Sequence, residues 1–117
     1  VAELTSKDWT LAELTERGEK IYQTSCASCH QVGGEGIPPM FPALKGSAIA
    51  TGDIEAHINI VVNGKPGTAM AAFGKQLSEV DLAAVITYER NAWGNETGEM
   101  VTPKDVLDFK QAEEATQ

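Results

Sequence analysis

Both cysteines of this 117-residue chain fall in one pentapeptide, Cys26-Ala27-Ser28-Cys29-His30. No other feature restricts what the chain can fold around so tightly. A disulfide between these thiols closes a loop too short to stabilise a fold much through chain entropy. A thioredoxin-like dithiol sits at a helix N-terminus that follows a strand, whereas the residues before Cys26 carry a helical period that ends at the motif. Zinc needs two further ligands, and beyond His30 the chain offers only His57 and carboxylates, at no finger or ribbon spacing. Covalent haem attachment makes full use of the pentapeptide: the thiols add to the two vinyl groups, and the imidazole of the next residue binds iron. The chain is therefore expected to carry one haem c, attached through Cys26 and Cys29, with His30 on the iron.

Length suits that expectation, because a single domain of this size lies near the lower end of what one apolar core sustains, and a large flat cofactor supplies burial of its own. Seventeen acidic against nine basic residues give a net charge of −8. Such a balance argues against nucleic acid as a partner and suits a basic protein surface, while also simply keeping a protein soluble. No run of eighteen apolar residues occurs, so no membrane insertion of this segment is expected. No charged and then apolar leader opens it, which suits a targeting signal that was removed or lies elsewhere.

Thr10-Leu11-Ala12-Glu13 is a capping box, and Leu11, Leu14, Gly18, Ile21, Tyr22 and Ser25 recur at helical spacing, which predicts a helix over about 11–25. Gly18 lies on the face to be buried, where glycine costs helix propensity. Close approach of a second helix explains it, with Tyr88 filling the notch and Tyr22 nearby. A middle helix is predicted over about 53–62, capped by Asp53, striped by Ile54, Ile58, Val61 and Val62, and ended by Asn63-Gly64. Ser78-Glu79-Val80-Asp81 opens a last helix through Leu82, Val85, Ile86 and Tyr88, with Gly94 as its stop after Trp93. The Gly- and Pro-rich stretches 31–50 and 63–77 read as ordered loops around the cofactor. From Thr102-Pro103-Lys104-Asp105 onward, Val106, Leu107 and Phe109 suit either a short amphipathic helix or a disordered extension. The organisation expected is a lead-in over 1–9, one domain over 10–95 and a C-terminal extension over 96–117.

This order of elements resembles class I cytochrome c across about residues 11–94. More narrowly, GEKIYQTSCASCHQVGGEGIPPMFPALKGS and NGKPGTAMAAFGKQLSEVDLAAVITYERNAWGN are similar to the cytochrome c domain fused to subunit II of caa-type haem-copper oxidases. The resemblance implies an all-α class I cytochrome c fold, three main helices plus loops wrapped around one covalently bound haem. It also implies Met70, in the tight loop before the last helix, as the iron ligand opposite His30. The strap after the motif would lie on the His30 side, with the carbonyl of Pro38 or Pro39 accepting the imidazole Nδ1–H and fixing the ring. Met40 competes for the iron, since ten extended residues span up to about 33 Å. Met100 and His57 compete for the iron too, although Met100 has nothing arranging it and His57, beside an apolar stripe, is otherwise expected as an ordinary partly exposed histidine. Lys45, Lys65 and Trp93 are propionate candidates.

An iron held by histidine and methionine has no vacant position, and such ligation raises the reduction potential, so one-electron transfer is the expected function. The isolated domain would be a carrier and not an enzyme, part of cytochrome c oxidase if the narrower resemblance holds. The resemblance implies a cytochrome or other periplasmic redox protein as donor and the dinuclear copper domain of subunit II as acceptor. The domain would then work on the periplasmic side of the bacterial inner membrane, and when isolated it is expected to be a monomer. Two other readings stand beside this one: a free-standing soluble periplasmic cytochrome c, and a sensing or peroxidase module with a labile distal ligand.

Overall fold

The computed structural model describes residues 9–31, 33–36, 44–64 and 72–115, apart from the side chains of Ser28, Cys29, Ala48, Ile49, Glu114 and Ala115. Four longer helices and two single turns make up the regular structure there: α1 (Leu11–Ser25), α2 (Ala27–His30), α3 (Ala48–Thr51), α4 (Ile54–Asn63), α5 (Glu79–Asn91) and α6 (Pro103–Ala115). No strand occurs among the described residues, in keeping with the all-α class I cytochrome c fold.

Helix α1 starts where its chemistry says it should. Thr10 Oγ1 accepts from the Glu13 amide at 3.1 Å while Glu13 Oε1 accepts from the Thr10 amide at 3.0 Å, so two otherwise orphaned donors are satisfied. Leu14, Gly18 and Tyr22 form its buried stripe. A Cβ on Gly18 would sit 2.0 Å from the Ala84 carbonyl oxygen and 2.7 Å from Tyr88 Cβ. The notch is thus filled first by the backbone of α5 and only then by Tyr88. A carbonyl inside a helix cannot swing aside, so Gly18→Ala must separate α1 from α5. Overpacking of this kind typically costs about 1–3 kcal/mol, whereas a solvent-facing helical Gly→Ala would gain up to about 1 kcal/mol. Denaturant melts should show the loss.

Helix α4 is capped by Asp53, whose Oδ2 accepts from the Ala56 amide at 3.2 Å, and its buried face is His57, Ile58, Val61 and Val62. Helix α5 is buried from Val80 to Tyr88 on nearly every side, which makes it the centre of the fold. It ends at Asn91, short of the predicted stop at Gly94: Ala92 is already extended, and Trp93 (φ 58°) and Gly94 (φ 90°) both take the left-handed region. That conformation is rare for a bulky side chain, and here the surroundings of the Trp93 ring impose it.

The tail is a helix. Thr102 and Asp105 cap each other reciprocally, Pro103 occupies the first helical position, and Val106 is buried in the same core as Tyr22, Ile58 and Ile86. Lys110 Nζ ties α6 to the rest through the Glu79 carboxylate and the Gly74 carbonyl, both at 2.7 Å. No helix among the described residues is long and apolar enough to cross a membrane.

Candidate functional site

Cys26 is the joint between α1 and α2. Its amide donates to the Tyr22 carbonyl at 2.8 Å, closing α1, and its carbonyl accepts from the His30 amide at 3.0 Å, opening the next turn. Cys26, Cys29 and His30 therefore share a single turn, with the Cys29 side chain outside the described set. Cys26 and Ala27 are half-buried and pack on the core formed by Tyr22, Ile58, Leu82 and Ile86. Two thiols and an imidazole on one turn, backed by aliphatic side chains, match the needs of a large apolar macrocycle with iron at its centre. The donor set fits haem c. Pro38, Pro39, Met40, Lys65 and Met70 lie outside the described residues.

The turn after the motif is clamped. Gln31 has φ 68°, unusual for a residue with a side chain, and its carbonyl accepts from Tyr22 Oη at 2.6 Å and from the Gly34 amide at 3.0 Å. The His30 carbonyl accepts from the Gly36 amide at 2.9 Å, and the Gly34 carbonyl receives the Leu44 and Lys45 amides at 2.7 and 3.0 Å. Trp93 lies over Gly34 so closely that a Cβ there would be 2.5 Å from Cε3 of the indole. Ring centroids of Tyr22 and Trp93 are 4.9 Å apart, those of Tyr88 and Trp93 5.4 Å, and those of the two tyrosines 5.5 Å. Trp93 is thus a packing residue of this cage, and Lys45 is exposed. Burial, followed by the Glu89 carboxylate, pushes the Tyr22 hydroxyl well above the ordinary tyrosine range, so it stays protonated and donates.

His57 departs from the partly exposed residue expected of it: only 1% of its surface is accessible. The reason is α5, which offers polar partners to both ring nitrogens. Nε2 meets Glu89 Oε1 at 2.8 Å, and Nδ1 meets Arg90 Nη1 at 3.3 Å. A carboxylate only accepts and a guanidinium only donates, so both contacts are satisfied by the Nε2–H tautomer. Arg90 Nη2 also donates to the Gly52 carbonyl and to Glu99 Oε1. With both nitrogens engaged, His57 is occupied structurally. Asn95 extends the network, its amide donating to the Leu44 and Glu89 carbonyls at 2.9 and 3.0 Å while Oδ1 accepts from the Gly46 amide at 2.7 Å. Met100 is half-buried on the segment that runs back along α5, beside Val101, whose amide and carbonyl both bond the Thr87 hydroxyl.

Comparison with known proteins agrees with this fold and with a haem c cofactor. Residues 13–88 match the family model described as cytochrome C oxidase, cbb3-type, subunit III. The chain is 38% identical over 85 residues to cytochrome c6 of Gracilaria tenuistipitata var. liui, covering 70% of this chain and 76% of that protein. It is 35% identical over 92 residues to cytochrome c-552 of Thermus thermophilus, covering 67% of this chain and 69% of that protein. It is also 31% identical over 103 residues to the cytochrome c subunit of a quinone alcohol dehydrogenase from Gluconacetobacter polyoxogenes. That match takes in 80% of this chain but spans only 22% of the dehydrogenase subunit's length. The chain belongs to the cytochrome c family. It is an electron-transfer domain of that family, and its cofactor is haem c bound covalently through cysteines.

Proposed function

We propose that the domain passes single electrons through a haem c bonded to Cys26 and Cys29, with His30 and Met70 as axial ligands, inside a caa-type oxidase subunit II. The observation that supports attachment and the His30 side of the ligation is the single turn that holds Cys26 and His30 together, with Cys26 packed on the apolar core. When bound, the haem supplies a ferric/ferrous couple. The chain's own residues would do the rest: His30 and Met70 would hold the iron and leave no room for substrate, the carbonyl of Pro38 or Pro39 would orient the imidazole, and the aliphatic wall would keep water away. Donor and acceptor in this reading are a periplasmic redox protein and the dinuclear copper centre, on the periplasmic side of the inner membrane. What supports the oxidase context is the AVITYERNAWGN stretch; the matching family model is described by a different oxidase subunit, cbb3-type subunit III. A second reading, a free-standing carrier, is favoured by how much of cytochromes c6 and c-552 the chain covers, 76% and 69%.

Covalent attachment is tested by denaturing the holoprotein in acid and extracting with organic solvent. The pigment should stay with the polypeptide; its passage into the organic phase would sink the attachment. For the context, the reduced domain is mixed in a stopped-flow instrument with a purified dinuclear copper domain from a caa-type oxidase. Rapid reoxidation is expected, and its absence leaves the free carrier as the better account.

A further inference from the structure

We infer that Tyr22 is a positioning residue for the iron-binding histidine, acting through the Gln31 carbonyl; the inference rests on the proposed ligation by His30. Gln31 follows His30 directly, so the peptide plane that Tyr22 grips is one residue from the imidazole's own backbone. The grip is short, 2.6 Å from Oη to the carbonyl oxygen, and it holds Gln31 at φ 68°, where a residue with a Cβ does not settle unaided. A second donor, the Gly34 amide at 3.0 Å, shares that carbonyl, and the Gly36 amide takes the His30 carbonyl at 2.9 Å. With the His30 amide donating to the Cys26 carbonyl at 3.0 Å, the backbone is tied on both sides of His30.

Rigidity comes from where the ring of Tyr22 sits. It has no exposed surface, it is caged by Tyr88 and Trp93, and it stands on α1 one turn beyond Gly18, which is locked on the Ala84 carbonyl. Trp93 presses on Gly34 from the same cage. The hydroxyl thus transmits the fixed crossing of α1 and α5 to the motif turn. Without it, Gln31 relaxes toward an ordinary φ, the imidazole gains freedom, and water reaches the motif edge more readily. Hydration favours the ferric charge and lowers the potential.

Tyr22→Phe keeps the ring and the cage but removes the grip. Tyr88→Phe is the matched control in the same cage: it removes a hydroxyl bonded to Trp93 and no bond to Gln31. Tyr22→Phe should shift the reduction equilibrium at least about threefold toward the ferric form, where tenfold corresponds to about 59 mV for one electron. It should also move the g values of the low-spin ferric spectrum and speed amide exchange at Gly34 and Gly36 about tenfold, while Tyr88→Phe leaves all three readouts in place. The effect should shrink in a Gln31→Gly background, because glycine holds a positive φ without help; that background also serves if Tyr22→Phe alone does not assemble. A Tyr22→Phe protein that melts earlier but keeps its potential and g values overturns the inference, as does an equal response from Tyr88→Phe. A wild-type spectrum lacking a low-spin histidine-bound signal overturns the ligation itself and the inference with it, and it is recognised before any variant is compared.

Discussion

Replacing Arg90 with methionine should lower the unfolding free energy of the haem-loaded domain by about 3–5 kcal/mol, at an unchanged denaturant slope. Arg90 has no exposed surface, yet it serves three acceptors: His57 Nδ1, the Gly52 carbonyl and Glu99 Oε1. Methionine keeps the unbranched, apolar bulk, so the change removes the hydrogen bonds with little new cavity. Glu99, 46% exposed, returns to water and contributes little. His57 Nδ1 and the Gly52 carbonyl are left without that donor, and an unsatisfied buried acceptor costs about 1–3 kcal/mol. Releasing the guanidinium from burial works in the opposite direction, and complete replacement of a buried ionic cluster by apolar groups is often neutral. Here only one member leaves while His57 and Glu89 stay, so the stranded acceptors dominate. A loss below about 1 kcal/mol would mean that the network closes over the gap. Replacing His57, Glu89 and Arg90 together by apolar residues should cost less than the single change, a sign that distinguishes stranded partners from lost packing.

Sequence reading succeeded where a few neighbouring residues decide the outcome. Thr10 with Glu13 and Asp53 with Ala56 place the starts of α1 and α4 because a cap needs only a side chain and an amide three residues on. The turn that joins Cys26 to His30 is legible for the same reason, since its residues are contiguous. Gly18 announced a close helix crossing, but not that a backbone carbonyl fills it, since patterning of side chains says nothing about the backbone opposite. The end of α5 was misplaced because Trp93 adopts a left-handed conformation that local propensity disfavours, and the cage of Tyr22, Tyr88 and Gly34 overrides that preference. His57 sits on a helix face that looks half-polar until Glu89 and Arg90, over thirty residues away, turn out to point at it. The Tyr22–Gln31 bond left no trace in the pattern, because a hydroxyl meeting a backbone carbonyl demands nothing of the residue that carries the carbonyl. Docking of α6 likewise hangs on the Lys110 bridge to Glu79, 31 positions apart.

Met70→Ala is expected to cause the largest change in redox behaviour. Both ends of the loop that carries Met70 are fastened to the last turn of α4. Gly64, at φ 70°, donates to the Ile60 carbonyl at 2.9 Å, and the returning Phe73 and Gly74 amides take the Val61 and Val62 carbonyls at 2.9 and 3.0 Å. Gly74 leaves no room for drift there, since a Cβ on it would lie 2.8 Å from Val62 Cγ1. The described residues on either side of this stretch are thus bonded to α4, and none of those bonds involves the Met70 side chain, so its loss leaves them intact. Stability should accordingly fall little compared with the redox effect. The thioether is a soft, neutral ligand that favours ferrous iron; water or hydroxide in its place favours the ferric charge. A shift of at least about a hundredfold in the reduction equilibrium is expected, about 120 mV downward at about 59 mV per tenfold. The weak sulfur-to-iron absorption in the red should vanish, and added cyanide or imidazole should bind readily at the opened position. Met40→Ala and Met100→Ala supply the comparison: each should keep the red band and the potential. If Met40→Ala abolishes the band and Met70→Ala preserves it, the ligand lies in the proline-rich strap instead, and the anchoring of the loop on α4 serves packing alone.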